Sequence, residues 1–316
     1  MADQDSNVQA WRPSAEFAVL HARAEMLASI RSFFSRLGVI EVETPLLCKG
    51  TVTDPNIAPI ACGDRWLQTS PEYAMKRLLC AGSGPIYQVC KAFRQGESGP
   101  RHNPEFSLLE WYRPGFSLRE LMSEVAQVVE LVLGPQTLHY YSYLDLFLEF
   151  AGINPFTLCA AELEDFARQK IDTSLENEER DTWLDLLLSH VIEPQLKGLG
   201  LVFVYDYPAS QAALARIRPG ENVAERFELY ADGIELANGY LELADAQEQA
   251  QRWAEDRAVL ASQGLTPRPS DEYLHEAMLS GLPDCSGVAM GLDRLLMLKL
   301  GVNGLAQVIS FDWERA

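Results

Sequence analysis

A short segment in the first third of the chain carries an unusual number of side chains that could bind a polyanion. Arg94, Arg101 and His102 lie between two apolar runs, PIYQVCKAF and FSLLEWY, which are typical of strands. An ordinary hairpin needs little more than turn residues such as Asn-Gly. Because the planar guanidinium of arginine suits phosphate oxygens, the segment predicts a strand–loop–strand site for a triphosphate. Phe106 could stack on the base; a salt-bridged hairpin surface is the alternative.

The sequence GLDRLLML near the C-terminus supplies a second candidate phosphate ligand. Gly291 would let the main chain approach a ligand closely, and Asp293 and Arg294 then begin an otherwise apolar helix. An arginine at the start of a buried helix needs a partner, which a phosphate oxygen would supply. The sequence lacks both G-x-G-x-x-G and G-x-x-x-x-G-K-[ST], so the usual nucleotide-binding folds are excluded.

Two acidic residues lie on the arms of a third element, the predicted hairpin RFELYADGIELANGYLEL. Its turn is predicted at Asp232-Gly233, which places Glu228 and Glu235 on opposite arms. Two carboxylates near a triphosphate are natural Mg²⁺ ligands, because magnesium prefers oxygen ligands that it shares with phosphates. An acidic, exposed hairpin without a ligand is the alternative.

Predicted helices and predicted strands surround these three motifs. The spacing of apolar residues predicts an amphipathic helix over residues 14–37, followed by a strand that stops near Pro45. Residues 140–199 are predicted to be mostly helical. Strands joined mainly by hairpins, with helices around them, indicate an α+β fold with a large antiparallel sheet flanked by helices. We expect one domain over residues 14–316, preceded by a polar tail, residues 1–13.

The overall charge restricts the possible partners. The chain has 45 Asp and Glu against 26 Lys and Arg, which gives a net charge of −19. Proteins that contact nucleic acid over a broad surface usually present basic side chains, so extended binding to a polyanion is not expected. The sequence contains neither a signal peptide nor a membrane-spanning apolar run. We therefore expect a cytoplasmic protein with no membrane partner.

In combination, the motifs resemble the catalytic core of class II aminoacyl-tRNA synthetases. The segment ending at Pro45 resembles the first motif of that class, which forms the dimer interface. FRQGE…RHNPEF resembles the second motif and GVAMGLDR the third. The lysyl branch is most similar, because RHNPEF, AERFELY and ELANGYLEL occur in the same order. The resemblance implies a homodimer whose six-stranded antiparallel sheet holds ATP in a bent conformation.

The resemblance also implies roles for individual residues. Arg94 would contact the α-phosphate and the substrate carboxylate, Arg294 would contact the γ-phosphate, and both would be catalytic. Glu228 and Glu235 would hold Mg²⁺. Gly96 stands where the second motif usually has an acid, so Glu97 would take that role. The full set expected to bind ATP is Arg94, Glu97, Arg101, His102, Asn103, Phe106, Glu235, Leu236, Gly291 and Arg294.

The nature of the amino acid follows in part from three further acids. Glu72, Glu110 and Glu242 would repel one another in one pocket unless a cationic ligand arrives, so a diamino acid fits. The lysyl family uses matching positions for this purpose. The residues expected to bind the substrate are Ser70, Pro71, Glu72, Glu110, Tyr112, Asn238, Glu242 and Ala289.

Two departures from the lysyl pattern narrow the resemblance further. Ser70 stands where alanine is usual and Ala289 where glycine is usual, and the short tail before residue 14 leaves no room for an anticodon-binding domain. In both features the chain resembles the truncated lysyl-synthetase paralogues, which activate (R)-β-lysine and attach it to a lysine of elongation factor P. That resemblance implies a protein acceptor and no tRNA. An enzyme that charges tRNA and a non-catalytic regulatory paralogue are the alternatives.

Overall fold

The structure is a computed structural model that describes residues 11–316. The predicted tail therefore lies outside the described residues except for its last three positions. The α-helices are 8 to 20 residues long. The described residues form nine α-helices: α1 (Phe17–Arg36), α2 (Glu72–Cys80), α3 (Leu118–Leu133), α4 (Tyr143–Phe150), α5 (Ala160–Lys170), α6 (Arg180–Leu187), α7 (Ala246–Ser262), α8 (Glu272–Gly281) and α9 (Leu292–Leu300).

The strands form one large sheet and one small one. Within residues 11–316 they are β1 (Ile40–Glu41), β2 (Leu47–Cys48), β3 (Ala61–Cys62), β4 (Arg65–Leu67), β5 (Ile86–Phe93), β6 (Glu105–Pro114), β7 (Leu138–Ser142), β8 (Leu201–Pro208), β9 (Val223–Ala231), β10 (Ile234–Leu241) and β11 (Cys285–Gly291). The prediction of mostly helix over residues 140–199 holds for α4 to α6. It is wrong for residues 140–142, which pair with β8 as part of β7.

The large sheet has the order β1-β5-β6-β11-β10-β9-β8-β7 in the described part of the chain. The inner six strands are antiparallel to one another and follow the order β5, β6, β11, β10, β9, β8. The two edge strands pair in parallel, β1 with β5 and β7 with β8. This confirms the predicted α+β fold with a six-stranded antiparallel core. The predicted turn at Asp232-Gly233 is present, with φ of 51° and 71° at the two residues, which are the positive values that such a two-residue turn requires.

The two faces of the sheet are used differently. On the back face, α1, α3 and α9 pack against alternate strand residues and form an apolar core that includes Phe34, Val129, Leu296, Leu109 and Trp111. A second core on the front, around Tyr143, Trp183 and Val204, joins α4 to α6 to β8 and β9. Because successive strand residues point to opposite faces, Glu110 and Tyr112, which alternate with Leu109 and Trp111 along β6, lie on the front.

One buried carboxylate connects three elements of the back layer. Asp293, the second residue of α9, accepts a hydrogen bond from Arg23 of α1 at 2.5 Å and from the main-chain N–H of Ser107 on β6 at 2.7 Å. Its side chain is 4% exposed. The helix α1 and the strand that carries Phe106 are therefore both fixed to the start of α9.

None of the helices in residues 11–316 is both long enough and apolar enough to cross a membrane.

Candidate active site

The front face of the sheet holds a large cavity of about 990 Å³. Strands β6, β10 and β11 form its floor, and α2, α7 and the loop of residues 49–57 form its walls. Phe106 and Glu110 both lie on the front face of β6. They are four residues apart, so about 13 Å of strand separates the two ends of the cavity floor. This length accommodates an amino acid together with a phosphate group.

The floor is a row of side chains in register across neighbouring strands. Glu110 on β6 is opposite Ala289 on β11, Ala289 is opposite Asn238 on β10, and Asn238 is opposite Glu228 on β9. The sequence analysis assigned these four residues to substrate or metal. The sheet register brings them onto one face although they are far apart in the sequence.

Glu110 lies at the acidic end of the cavity and is 2% exposed. Its carboxylate accepts hydrogen bonds from the Ser70 hydroxyl at 2.9 Å and from the Tyr112 hydroxyl at 2.7 Å. Burial, and next the charge of Glu72, raise the pKa of Glu110 to about 8. The structure thus places Ser70, Glu72, Glu110 and Tyr112 together as predicted, while Pro71 supplies the main-chain cap before α2.

A lysine that the sequence analysis did not assign lies within this acidic cluster. The Nζ atom of Lys76 is 2.6 Å from Oε1 of Glu72 and 2.6 Å from Oε2 of Glu242, and its side chain is 1% exposed. Burial alone would lower the pKa of Lys76, but Glu242 and Glu72 raise it above the ordinary value, so this side chain stays charged. Burial raises the pKa of Glu242 to about 7, against the opposing effect of Lys76.

Gly287 on β11 gives the acidic end its shape. A Cβ atom at this position would lie 2.3 Å from Cε1 of Tyr112 and 2.4 Å from Oε1 of Glu242. Real Cβ atoms do not approach other atoms so closely. Glycine is therefore required where the phenol and the carboxylate converge on the floor.

The opposite end of the cavity carries the predicted phosphate ligands. Arg94 follows β5 directly, lies 3.6 Å from Glu97 and has its guanidinium carbon 5.2 Å from the centre of the Phe106 ring. One face of the Phe106 ring is thus next to the Arg94 guanidinium. Glu97 is thus paired with Arg94, and its role in place of the acid that Gly96 replaces stays a prediction.

Arg294 has partners within the protein, contrary to the argument that only a phosphate would supply one. It donates to the main-chain oxygen of Glu235 at 2.9 Å and to the Glu235 carboxylate at 3.3 Å. It is also 2.7 Å from Nε2 of His102. Burial of the imidazole, and next the charge of Arg294, lower the pKa of His102. A neutral His102 accepts from Arg294, so the two predicted ligands are held in one cluster.

Asn103 has a structural role that the sequence did not indicate. Its amide donates to the main-chain oxygen of Glu105 at 2.6 Å and accepts from the N–H of Trp313 at 3.1 Å. Leu236 and Gly291 line the cavity as predicted, while Arg101 contributes its main-chain oxygen to Arg294.

The two predicted metal ligands lie on the same face but differ in their surroundings. Glu228 is buried and accepts hydrogen bonds from Tyr207, Tyr230 and Arg226. The Glu235 side chain is 38% exposed and faces the cavity.

The acids at this end suit a divalent cation that is shared with a ligand. Burial and the charges of Glu235 and Glu228 raise the pKa of Glu193, which the sequence analysis missed, to about 8. Among residues 11–316, no three His, Cys, Asp or Glu side chains are placed to hold a metal ion. Mg²⁺ usually binds through one or two carboxylates plus substrate phosphates, so this donor set fits magnesium that arrives with a nucleotide.

The fold and the site agree with the class predicted from the motifs, an enzyme core built on an antiparallel sheet. The family described as tRNA synthetases class II (D, K and N) matches residues 4–315, nearly the whole chain. The chain therefore belongs to the class II tRNA synthetases of this group. Membership indicates ATP-dependent activation of an amino acid.

Gly287 and Gly291 provide a matched pair of substitutions on one strand. We expect Gly287→Ala to destabilise the protein by about 1–3 kcal/mol, the usual cost of overpacking, because Tyr112 and Glu242 must move. Gly291→Ala should stay within about 0.5 kcal/mol of the wild type, since the nearest atom to its Cβ would be 3.9 Å away. Thermal denaturation of both variants measures the difference. Equal melting temperatures would show that the acidic end is not packed around Gly287.

Proposed function

We propose that the protein activates (R)-β-lysine with ATP as an aminoacyl-adenylate and transfers it to a lysine side chain of elongation factor P. The observation that carries this proposal is the division of the cavity. Glu110 and Glu242 are buried at one end together with the half-buried Glu72, whereas Arg94 and Arg294 lie at the other end. An amino acid with two ammonium groups and one carboxylate is complementary to both ends.

Two small residues of the floor support a β-amino acid. Ala289 adds a methyl group between Glu110 and Asn238 where the lysyl relatives have glycine. Ser70 adds a hydroxyl that donates to Glu110 where those relatives have alanine. In β-lysine one ammonium group is a carbon further from the carboxylate than in α-lysine. A floor narrowed by the Ala289 methyl group and a Glu110 that is held by Ser70 favour this displaced ammonium group.

The reaction needs no nucleophilic side chain of the enzyme. A carboxylate oxygen of the amino acid attacks the α-phosphorus of ATP, and the bond to the bridging oxygen of pyrophosphate breaks. The acceptor ε-amine then attacks the carbonyl carbon of the adenylate, loses a proton and displaces AMP. Arg94 and Arg294 would orient the phosphates and stabilise the developing charge. Magnesium, held at Glu235 with Glu228 behind it, would neutralise phosphate charge.

Replacement of either arginine tests the activation step. We expect Arg94→Ala and Arg294→Ala each to lower the rate of ATP–pyrophosphate exchange by about 10²–10³-fold, by analogy with the loss of a transition-state donor. Arg168→Ala on α5 removes a guanidinium that pairs with Glu164 outside the cavity, and this control should leave exchange unchanged. Normal exchange in an Arg94 or Arg294 variant would remove that arginine from the catalytic set.

The acceptor is the less constrained part of the proposal. The net charge of −19 favours a basic protein loop that presents a lysine over an RNA backbone, whose binding depends on phosphate neutralisation. Charge attraction of this kind weakens as salt is added. Membership in a family of tRNA synthetases supports the second candidate, an enzyme that charges tRNA with lysine.

One competition experiment separates the two acceptors. The enzyme is incubated with ATP, Mg²⁺, radiolabelled β-lysine, elongation factor P and total tRNA. We expect label in the acid-stable protein fraction, with a yield that decreases as ionic strength increases. Label on tRNA that mild base releases, with none on protein, would favour the second candidate. Parallel exchange assays with α-lysine and β-lysine determine the substrate.

We further propose that two copies of the chain assemble through the first segment of the fold. Large apolar side chains of this segment remain exposed: Phe17, Leu37, Ile40, Leu46 and Leu47. Burial of such side chains favours association. We expect sedimentation at micromolar concentration to give a dimer that Phe17→Asp and Leu47→Asp together dissociate. A wild-type monomer at that concentration would contradict the proposed assembly.

A further inference from the structure

The proposed reaction leaves one buried charge beside the cavity without a role. Lys76, on the second turn of α2, lies behind the acids that line the acidic end, and its side chain is 1% exposed. It lies one helical turn after Glu72 and also contacts Glu242, which follows β10. A lysine is very rarely buried in this way unless a specific pairing compensates for its desolvation.

We infer that Lys76 is a positioning residue that sets the net charge of the amine pocket and thereby selects amino acids with two ammonium groups. This inference rests on the proposed activation of a diamino acid. Lys76 is enclosed and its carboxylate partners are 2.6 Å away, so it acts as a permanent counter-cation and not as a group that the substrate displaces.

The charges around Lys76 can be counted element by element. Helix α2 contributes Glu72, β6 contributes Glu110, and Glu242 follows β10, so with Lys76 the fully ionised pocket has a net charge of −2. Two ammonium groups match that charge. Without Lys76 the same acids would total −3, and repulsion would drive at least one of them to take up a proton.

The remaining titratable neighbours do not alter this count near neutral pH. Burial, and in some cases neighbouring acids, raise the pKa of every phenol and thiol that faces the cluster, so these groups stay neutral. They are Tyr73 and Cys80 of α2, Cys90 of β5, Tyr112 of β6, Tyr240 of β10 and Cys285 of β11. Two further charges lie at the edges of the cluster. Asp284, which precedes Cys285, raises the pKa of that thiol, and Arg226 of β9 acts in the opposite direction on the pKa of Tyr240.

The direction of the pH effect follows from the role of the acids. A protonated carboxyl cannot hold an ammonium group as an ion pair, so the KM for the amino acid should rise as pH falls through the pKa of Glu110 and Glu242. Those pKa values are about 8 and about 7 with Lys76 in place. Because Lys76 contacts Glu242 and favours its ionised form, removal of Lys76 should raise the pKa of Glu242 and move the midpoint of the KM profile to higher pH.

The test compares KM profiles for the diamino acid from pH 6 to 9 by ATP–pyrophosphate exchange. For Lys76→Met we expect the midpoint to move up by about one pH unit, which corresponds to a roughly tenfold higher KM near neutral pH. The KM should return toward the wild-type value at pH 9, and the KM for ATP should not change. Lys76→Arg keeps the charge and should keep the midpoint. Lys170→Met on α5 is the control for loss of a lysine elsewhere.

A charge-compensated variant covers the case in which Lys76→Met does not fold. Lys76→Met combined with Glu72→Gln restores the net pocket charge of −2, so its midpoint should equal that of the wild type even if its KM differs. If the midpoint of this double variant is displaced as far as expected for Lys76→Met alone, the inference is overturned. A Lys76→Met profile that coincides with the wild-type profile, or a raised KM that no increase in pH restores, would overturn it as well.

The outcome for Lys76 and the outcome for the proposed function can be distinguished. If no diamino acid supports ATP–pyrophosphate exchange by the wild-type enzyme, the proposed function is wrong. If the wild type is active and the Lys76 variants keep its midpoint, the proposed function stands and only the role of Lys76 is wrong.

Discussion

The structure depends on the cost of holding several carboxylates out of water on one face of a sheet. Glu110 and Glu242 are almost fully buried, Glu72 contacts the same lysine as Glu242, and Glu228 lies on the same face three strands from Glu110. Such a layer is stable only if cations or hydrogen-bond donors reach every acid. The molecule meets this requirement with short local contacts: Lys76 between two acids, phenols on Glu110 and Glu228, and Arg226 beside Glu228. The remaining negative charge is what a cationic substrate can neutralise.

The apolar back of the sheet makes this arrangement precise. Leu109 and Trp111 are fully buried against α1 and α3, and they fix the orientation of Glu110, which lies between them on the opposite face. The antiparallel register then aligns Ala289 and Asn238 with Glu110 across three strands. A shift of one residue in any of these strands would exchange the two faces and bury the acids in the apolar core. The core therefore determines the chemistry of the cavity although most of its side chains lie behind the floor.

The elements that depend on local sequence could be predicted, and the links between distant elements could not. The turn at Asp232-Gly233 and the strands around Arg94 follow from turn chemistry and apolar pattern. The acids of the cavity were predicted because their types match those of a known family. Lys76 was missed although its spacing of four residues from Glu72 is visible, because such pairs are common on exposed helices and only the fold shows that this one is buried. The partners of Arg294 come from β10 and from the loop before β6. Glu228 accepts from Tyr207 on the neighbouring strand as well as from Arg226 on its own strand, so a free arginine and a free carboxylate were the simplest expectations from sequence.

Asp293 has a further consequence for how the molecule responds to load on its outer helix. The same carboxylate accepts from Arg23 of α1 and from the main chain of Ser107, the residue after Phe106. A tilt of α1 must either break a buried ion pair, at a cost of about 3–5 kcal/mol, or carry the start of α9 and the adjoining strand with it. Strain applied to the outer surface of the back layer is thus transmitted through the sheet to the nucleotide end of the cavity. A contact that tilts α1 and a ligand that shifts the strand at Phe106 would therefore act on the same carboxylate, Asp293.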